Sequence, residues 1–131
     1  MFLDASAIIA ILAAEDDAEG LAARLARADA TQTSGLAIYE AAVGLARIGN
    51  TDPENTLALV EAFLAEIKAR VVPIDHVTAT EALAAFSRYG KGRHPAGLNM
   101  GDCFAYACAR QLTTPLLCKG NDFPRTDIEL G

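Results

Sequence analysis

The stretch that decides the fold class spans residues 99–122 and reads NMGDCFAYACARQLTTPLLCKGND. Asn99 is a favourable helix N-cap, and the residues after it predict a helix from Met100 to about Leu112. Residues 115–118 are a short, mainly apolar run that predicts a strand, and residues 119–122 turn away from its carboxyl end. A helix leading directly into a strand is the repeating unit of a parallel α/β sheet.

The rest of the chain repeats this alternation of strands and helices. We predict three more strands, at residues 1–3, 31–33 and 71–74. Between them lie the apolar run 7–14 after a turn at 4–6, an amphipathic helix over 16–29, a helix capped by Ser34 that continues through Ile48 and is closed by Gly49, a helix from Pro53 to about Arg70, and a helix capped by Asp75. The apolar face of the last helix includes Val77, Ala82, Leu83 and Phe86, and Gly90, Gly92, Pro95 and Gly97 mark a loop after it.

These elements predict an α/β fold in a single domain that spans residues 1–131. We expect three layers, α/β/α, with a central parallel sheet of four to five short strands covered by helices on both faces. A length of 131 residues, of which 52% are hydrophobic, suits one compact domain. Ligands bind such sheets at the carboxyl ends of the strands, where Asp4 and Asp122 would both lie.

Several features favour a cytoplasmic protein without a membrane partner. No basic leader or cleavage site precedes the first apolar run, so we expect no signal peptide. No apolar stretch approaches the length of a membrane span. Cys103, Cys108 and Cys118 are an odd set without CxxC spacing, and we interpret all three as small core residues in a reducing compartment.

The charge balance argues at first against a nucleic-acid binder. Eleven basic residues stand against 17 acidic ones, which gives a formal net charge of −6. Nucleic-acid binding then requires that some acids neutralise bound metal and that the bases are grouped. Between Glu81 and Asp102 the chain has no acid, and it carries Arg88, Lys91, Arg93 and His94. We hypothesise that this basic segment, with Lys119 and Arg125, holds nucleic-acid phosphates; a solvated loop is the alternative.

Four acids stand beside apolar sequence and are candidates for a common site: Asp4, Glu40, Asp102 and Asp122. Carboxylates gathered in one place repel each other, so a fold that brings them together needs a cation there. Oxygen ligands without His or Cys favour Mg²⁺ or Mn²⁺ over zinc. One or two such ions would support metal-assisted hydrolysis of a phosphodiester. Helix capping is the alternative role for Asp4, and the helix dipole is the alternative for Asp102.

Other kinds of active site fit the sequence less well. His76 and His94 are the only histidines, and neither belongs to a nucleophile motif. A dehalogenase-type phosphotransferase needs a second acid two residues after Asp4, where Ser6 stands. A receiver domain needs an acid pair at the first strand, and none adjoins Asp4. Phosphoryl transfer is therefore the second choice among enzymes.

The motifs together resemble the PIN-domain family. They are Leu3-Asp4-Ala5-Ser6 at the start, Ile38-Tyr39-Glu40, the run from Asn99 to Ala107, and the run Lys119-Gly120-Asn121-Asp122-Phe123 followed by Thr126-Asp127. Within that family the chain is most similar to VapC-type toxins, and the match covers nearly all of it. The resemblance implies an endoribonuclease that holds Mg²⁺ or Mn²⁺ with Asp4, Glu40, Asp102 and Asp122.

The resemblance also assigns supporting residues and partners. Ser6 would hydrogen-bond to the metal-bound carboxylates, and Asn121 stands where relatives often carry an acid, so we expect a polar neighbour there. Asp127 is then the candidate that completes a second metal site, unless it only begins the terminal strand. The implied partners are an RNA substrate, a VapB-like antitoxin and a second copy in a homodimer. A catalytically inactive PIN-like module that binds RNA or protein is the non-enzymatic alternative.

Overall fold

The computed structural model describes residues 1–131 and contains one four-stranded parallel sheet. Its strands are β1 (Phe2–Leu3), β2 (Gln32–Ser34), β3 (Arg70–Val72) and β4 (Leu116–Leu117), in the spatial order β3-β2-β1-β4. A single parallel bridge between Leu116 and Leu130 adds the end of the chain beside β4. The predicted parallel sheet of four to five short strands is confirmed.

Six helices and one short 3-10 turn connect the strands. They are α1 (Ala5–Leu12), α2 (Ala18–Leu25), α3 (Gly35–Gly49), α4 (Pro53–Glu66), α5 (His76–Tyr89), α6 (Met100–Gln111) and the 3-10 turn Phe123–Arg125. None of these helices combines the length and apolar character that crossing a membrane requires.

Two apolar cores on opposite faces of the sheet produce the three layers. Successive side chains of a strand point to opposite faces. Phe2 and Leu116 accordingly pack into a core with α5 and α6, whereas their neighbours Leu3 and Leu117 pack into a core with α1, α3 and α4. Each of the neighbouring strands β1 and β4 therefore contributes one residue to each core. The predicted α/β/α arrangement is confirmed.

The helix caps follow the sequence closely. Ser34 accepts a hydrogen bond from the Ala37 N–H, and Asp75 and Asn99 each form a reciprocal capping box with the residue three positions later. The predicted starts of these helices are therefore correct. Because Asp4 itself caps α1, that helix begins at Ala5 rather than after a turn through Ser6, and it ends at Leu12.

Several predicted helix ends were wrong. The helix predicted over 16–29 covers only Ala18–Leu25, because Arg27 and Ala28 donate to carbonyls three residues back and leave the α-helical pattern. Asn50, at φ 46°, caps α3 in place of Gly49. The chain leaves α4 after Glu66, through Lys68 at φ 53°, so β3 begins at Arg70. Apolar periodicity continued past each end and could not show where the backbone turns.

The predicted apolar face of α5 was largely wrong. Of its four residues only Ala82 is buried; Val77 and Leu83 are 58% and 66% exposed, and Phe86 is also exposed. The face that packs consists of Thr78, Ala82, Ala85 and Tyr89, whose mostly small side chains let α5 lie close to α6. Leu83 and Phe86 instead line an open apolar depression of about 280 Å³ together with Met100, Cys103 and Phe104 of α6. Exposed apolar surface of this kind is typical of a contact surface.

Candidate active site

Asp4 lies at the carboxyl end of β1 and is the innermost of the candidate acids, with 6% of its surface exposed. Its Oδ2 accepts hydrogen bonds from the Ser6 N–H at 3.0 Å and the Ser6 Oγ–H at 2.5 Å. Burial raises the pKa of the Asp4 carboxyl although these hydrogen bonds lower it. Asp4 thus caps α1, which was its alternative role. The same carboxylate also lies at the edge of the sheet, where it could bind a metal.

Glu40 lies in the second turn of α3, and its half-buried carboxylate rests on Gly101 of α6. A Cβ atom at Gly101 would overlap the Glu40 carboxylate. Burial, and then the charges of Asp4 and Asp102, raise the pKa of Glu40 to about 7. Sequence reasoning missed Gly101, although a glycine in the first turn of a helix is a signal of close approach by another group.

Asp102 lies in the first turn of α6, and its Oδ2 accepts a hydrogen bond of 2.9 Å from the Asn99 N–H. Burial raises its pKa to about 6 in spite of that bond, and the charges of Asp4 and Asp122 add to the rise. The role at the helix start is therefore real, and it does not remove Asp102 from the group of acids. Asp122 is exposed and follows β4 at the start of the 3-10 turn.

The charges of Asp4 and Asp102 act on Glu40, and those of Asp4 and Asp122 act on Asp102, so the four acids are grouped at one edge of the sheet. Their binding of a metal stays a prediction. None of them forms an ion pair with a lysine or arginine. No group of three or more acidic, histidine or cysteine side chains stands close enough to form a complete metal cage. A cation bound by these acids would have to draw their side chains closer together.

The cysteines do not compete with the oxygen ligands. Cys103, Cys108 and Cys118 are all buried and free. Burial raises the pKa of Cys103 and Cys108 to about 11 and that of Cys118 to about 12. Thiols that stay protonated are poor ligands, so the donors at this edge are carboxylate oxygens. Such a donor set fits a hard divalent cation such as Mg²⁺ or Mn²⁺.

Ser6 connects Asp4 to the segment after β4. Its Oγ donates to Asp4 and accepts a hydrogen bond of 3.0 Å from the Lys119 N–H. The hydrogen bond from Ser6 to Asp4 is present, and the role of Ser6 beside a metal-bound carboxylate stays a prediction. Asn121 is exposed and its side chain forms no hydrogen bond within the chain, so its role as a polar neighbour stays a prediction.

The structure does not bring Asp127 to the other acids. Its Oδ1 accepts a 2.5 Å hydrogen bond from the Tyr106 hydroxyl, and its Oδ2 lies 3.4 Å from Arg88 Nη2. The Tyr106 bond is the main reason why the pKa of Asp127 is lowered, whereas the pKa of Glu40 and of Asp102 is raised. Asp127 also does not begin a strand, because the terminal bridge forms at Leu130. This pairing could not be predicted from local sequence patterns, because Arg88 precedes Asp127 by 39 residues.

The five predicted RNA-binding residues differ in how free they are. Arg88 pairs with Asp127, and Lys119 pairs with Glu15 and Asp17. The exposed side chains of Arg93 and Arg125 each donate to a backbone carbonyl, of Ser87 and Pro95 respectively, and Lys91 is exposed without a partner.

The basic loop, residues 90–97, is connected in sequence to elements that carry the acids. It leads through Leu98 and Asn99 into α6, the helix that carries Asp102. Arg125 ties it to the 3-10 turn that follows Asp122. RNA binding by this loop stays a prediction, and Lys91, Arg93 and Arg125 are the residues placed to take part.

Known proteins match the chain over nearly its full length. The PIN domain family profile matches residues 1–129. A VapC ribonuclease of Rhizobium meliloti is 42% identical, over 97% of this chain and 98% of the relative. Ribonuclease VapC28 of Mycobacterium tuberculosis is 43% identical, over 98% of this chain and 96% of the relative.

Two solved structures share the fold. The crystal structure of Mycobacterium tuberculosis VapC20, a sarcin-ricin loop cleaving toxin, has a TM-score of 0.75 at 18% identity and covers 97% of this chain and 95% of that chain. A chain of a toxin-antitoxin complex from Klebsiella pneumoniae has a TM-score of 0.64 at 19% identity and covers 93% of this chain and 88% of that chain. With the family profile and relatives above 40% identity over almost every residue, the chain belongs to the PIN-domain family and, within it, to the VapC ribonucleases.

Proposed function

We propose that this chain is a metal-dependent endoribonuclease and the toxin of a VapBC-like toxin-antitoxin pair. Four carboxylates at the carboxyl edge of the sheet, with no basic partner of their own, carry the proposal. Membership of the VapC ribonucleases supplies the reaction class.

The site residues have two kinds of role, binding the metal and positioning its ligands. Asp4, Glu40, Asp102 and Asp122 would hold one or two Mg²⁺ or Mn²⁺ ions. When bound, such an ion lowers the pKa of a water molecule and neutralises charge that develops on the phosphodiester. Ser6 fixes the orientation of the Asp4 carboxylate through its hydroxyl. Gly101 leaves room for the Glu40 carboxylate against the start of α6.

RNA reaches the site along the basic loop. Lys91, Arg93 and Arg125 are exposed and contact the phosphates, which offsets the net charge of −6. Arg88 and Lys119 are left out of this set because each already pairs with acids of the same chain.

A VapB-like antitoxin inhibits by placing an arginine or lysine among the four carboxylates. An uncompensated group of acids attracts a guanidinium fork strongly, since both of its N–H edges can be used. Antitoxin binding should then weaken as Mn²⁺ is added and as Glu40 is replaced by Gln. Affinity that ignores both changes would mean that the antitoxin blocks the RNA path elsewhere.

Two copies form a homodimer through the apolar depression between α5 and α6, where Leu83 and Met100 are both 66% exposed. Burying these side chains removes apolar surface from water. Sedimentation of Leu83→Lys as a monomer, beside a dimeric wild type, is the expected result. Because its proposed substrate is cellular RNA and its proposed partner is an antitoxin, we expect the protein to act in the cytoplasm.

Incubation of the purified chain with labelled RNA tests the proposed activity. Cleavage should require Mg²⁺ or Mn²⁺, stop in EDTA and be lost in Asp4→Asn and Asp102→Asn. Asp127→Asn is the matched control, because Asp127 pairs with Tyr106 and Arg88. Cleavage of RNA by this variant should still require metal. Binding of RNA without cleavage in any metal would instead support the inactive PIN-like module.

A further inference from the structure

We propose that Lys119 is a positioning residue that holds the segment carrying Asp122 against Asp4, rather than a contact for RNA. This inference rests on the proposed metal-dependent function. Both the backbone N–H and the side-chain ammonium of Lys119 are bound by other residues. Its N–H donates to Ser6 Oγ at 3.0 Å, and its ammonium pairs with Glu15 and, at 3.2 Å, with Asp17 Oδ1.

The segment 119–122 has almost no other support. No hydrogen bond joins Gly120 or Asn121 to the rest of the chain, and the Asp122 carbonyl only accepts from the Arg125 N–H within the next turn. Gly120 adopts φ +99°, with nothing close to where a Cβ would stand. Lys119 therefore provides every hydrogen bond that fixes residues 119–121.

The contacts form a continuous chain from the surface to the site. Glu15 and Asp17 lie between α1 and α2, and they hold the Lys119 ammonium. The Lys119 backbone holds Ser6 Oγ, which donates to Asp4 Oδ2. Lys119 thus fixes the distance between the strand end that carries Asp4 and the segment that carries Asp122.

The same pairs argue against an RNA contact. A phosphate that attracted the Lys119 ammonium would have to displace two carboxylates. Those freed acids would then face the RNA and repel it. We therefore expect Lys119 to remain paired when RNA is bound.

Variants that remove either the Lys119 ammonium or its partners Glu15 and Asp17 distinguish a positioning role from an RNA contact. Lys119→Met removes the ammonium and keeps the length of the side chain, whereas Glu15→Gln with Asp17→Asn removes its partners and keeps the lysine. Both should weaken Mn²⁺ binding, measured by calorimetry without RNA, by about tenfold, since groups that orient metal ligands typically matter on that scale. The triple variant should be no weaker than either, because all three residues act through one anchor. Lys119→Arg should restore the affinity.

A matched control removes the effect of charge alone. Asp16→Asn with Glu19→Gln also deletes two acids from the same segment, and neither residue pairs with Lys119. It should leave Mn²⁺ affinity within twofold of wild type. Thermal melts in EDTA check that every variant folds.

The outcomes are distinct. If Lys119→Met weakens RNA binding, Glu15→Gln with Asp17→Asn strengthens it beyond the control, and Mn²⁺ affinity is unchanged, then Lys119 is an RNA contact and the inference is overturned. Equal Mn²⁺ affinity in all variants also overturns it and leaves the proposed function intact. A wild-type protein that neither binds Mn²⁺ nor cleaves RNA overturns the proposed function, and this inference with it.

Discussion

Replacing Asp102 by Asn tests whether its carboxylate is crowded by other negative charges. In the folded protein burial, aided by the charges of Asp4 and Asp122, raises the pKa of Asp102 to about 6. The folded state therefore keeps this proton to higher pH than the unfolded chain does. As pH rises from about 4 to about 6, the metal-free wild type should lose stability, and above that range the loss is complete. A neutral Asn avoids it, so Asp102→Asn should be more stable in EDTA at pH 7.

The size of the effect follows from the two pKa values. The difference between the ordinary value of 3.8 and about 6, at about 1.4 kcal/mol per pH unit, is about 3 kcal/mol. Asp102 is only half-buried, so solvent screening reduces this to roughly 1.5 kcal/mol. Asn can still accept the Asn99 N–H, but losing a negative charge at the helix start offsets about 0.5 kcal/mol. The net gain of about 1 kcal/mol corresponds to roughly 4 °C in Tm for a domain of this size.

Thermal melts with and without Mn²⁺ provide the assay. At about a hundred times its Kd, Mn²⁺ should stabilise the wild type by roughly 2.7 kcal/mol. Asn is a poorer ligand, so the variant should gain much less and the order of stability should invert. Asp75→Asn is a control of opposite sign, because hydrogen bonds from Thr78 lower the pKa of Asp75. A variant of Asp102 that is less stable in EDTA and responds to Mn²⁺ like the wild type would refute the reasoning.

Three further predictions concern the same site. Gly101→Ala should displace the Glu40 carboxylate and weaken Mn²⁺ binding about tenfold, and an unchanged calorimetric Kd would contradict this expectation. Lys91→Ala with Arg93→Ala should reduce the slope of log affinity for single-stranded RNA against log salt by about 1.4, at about 0.7 for each lost phosphate contact; an unchanged slope removes the loop from the interface. Mn²⁺ affinity should rise as pH increases through about 6 and about 7, because the protons on Asp102 and Glu40 compete with the ion, and then level off. A flat titration between pH 5.5 and 8 would contradict those raised pKa values.

Local signals predicted much of this molecule. The caps Ser34, Asp75 and Asn99 marked three helix starts correctly, because a cap bonds to a backbone group within a few residues. Asp4 and Asp122 were located through the strands that precede them, since carboxyl ends of parallel strands meet at one edge. Glu40 stood out as an acid in apolar sequence, where burial needs a partner.

Pairs distant in sequence could not be predicted in the same way. Lys119 meets Glu15 across 104 residues, and Asp127 meets Tyr106 across 21. From sequence alone, a charged residue can be interpreted as solvent-exposed or as part of a site, because its ion-pair partner is unknown. The outward turn of Val77 and Leu83 had a similar cause, because α5 carries apolar residues on two faces and the alanine face packs more closely.

The two-residue strands β1 and β4 make the candidate active site intolerant of length changes beside them. Phe2 enters one core and Leu3 the other, so deleting or inserting one residue here would send each side chain to the wrong face. Asp4 would leave the edge of the sheet in the same step. Leu116 and Leu117 impose the same rule on the chain before Lys119. Substitutions can be absorbed at these positions more readily than indels, so engineering of this enzyme should keep the residue count fixed from Phe2 to Asp4 and from Leu116 to Asp122.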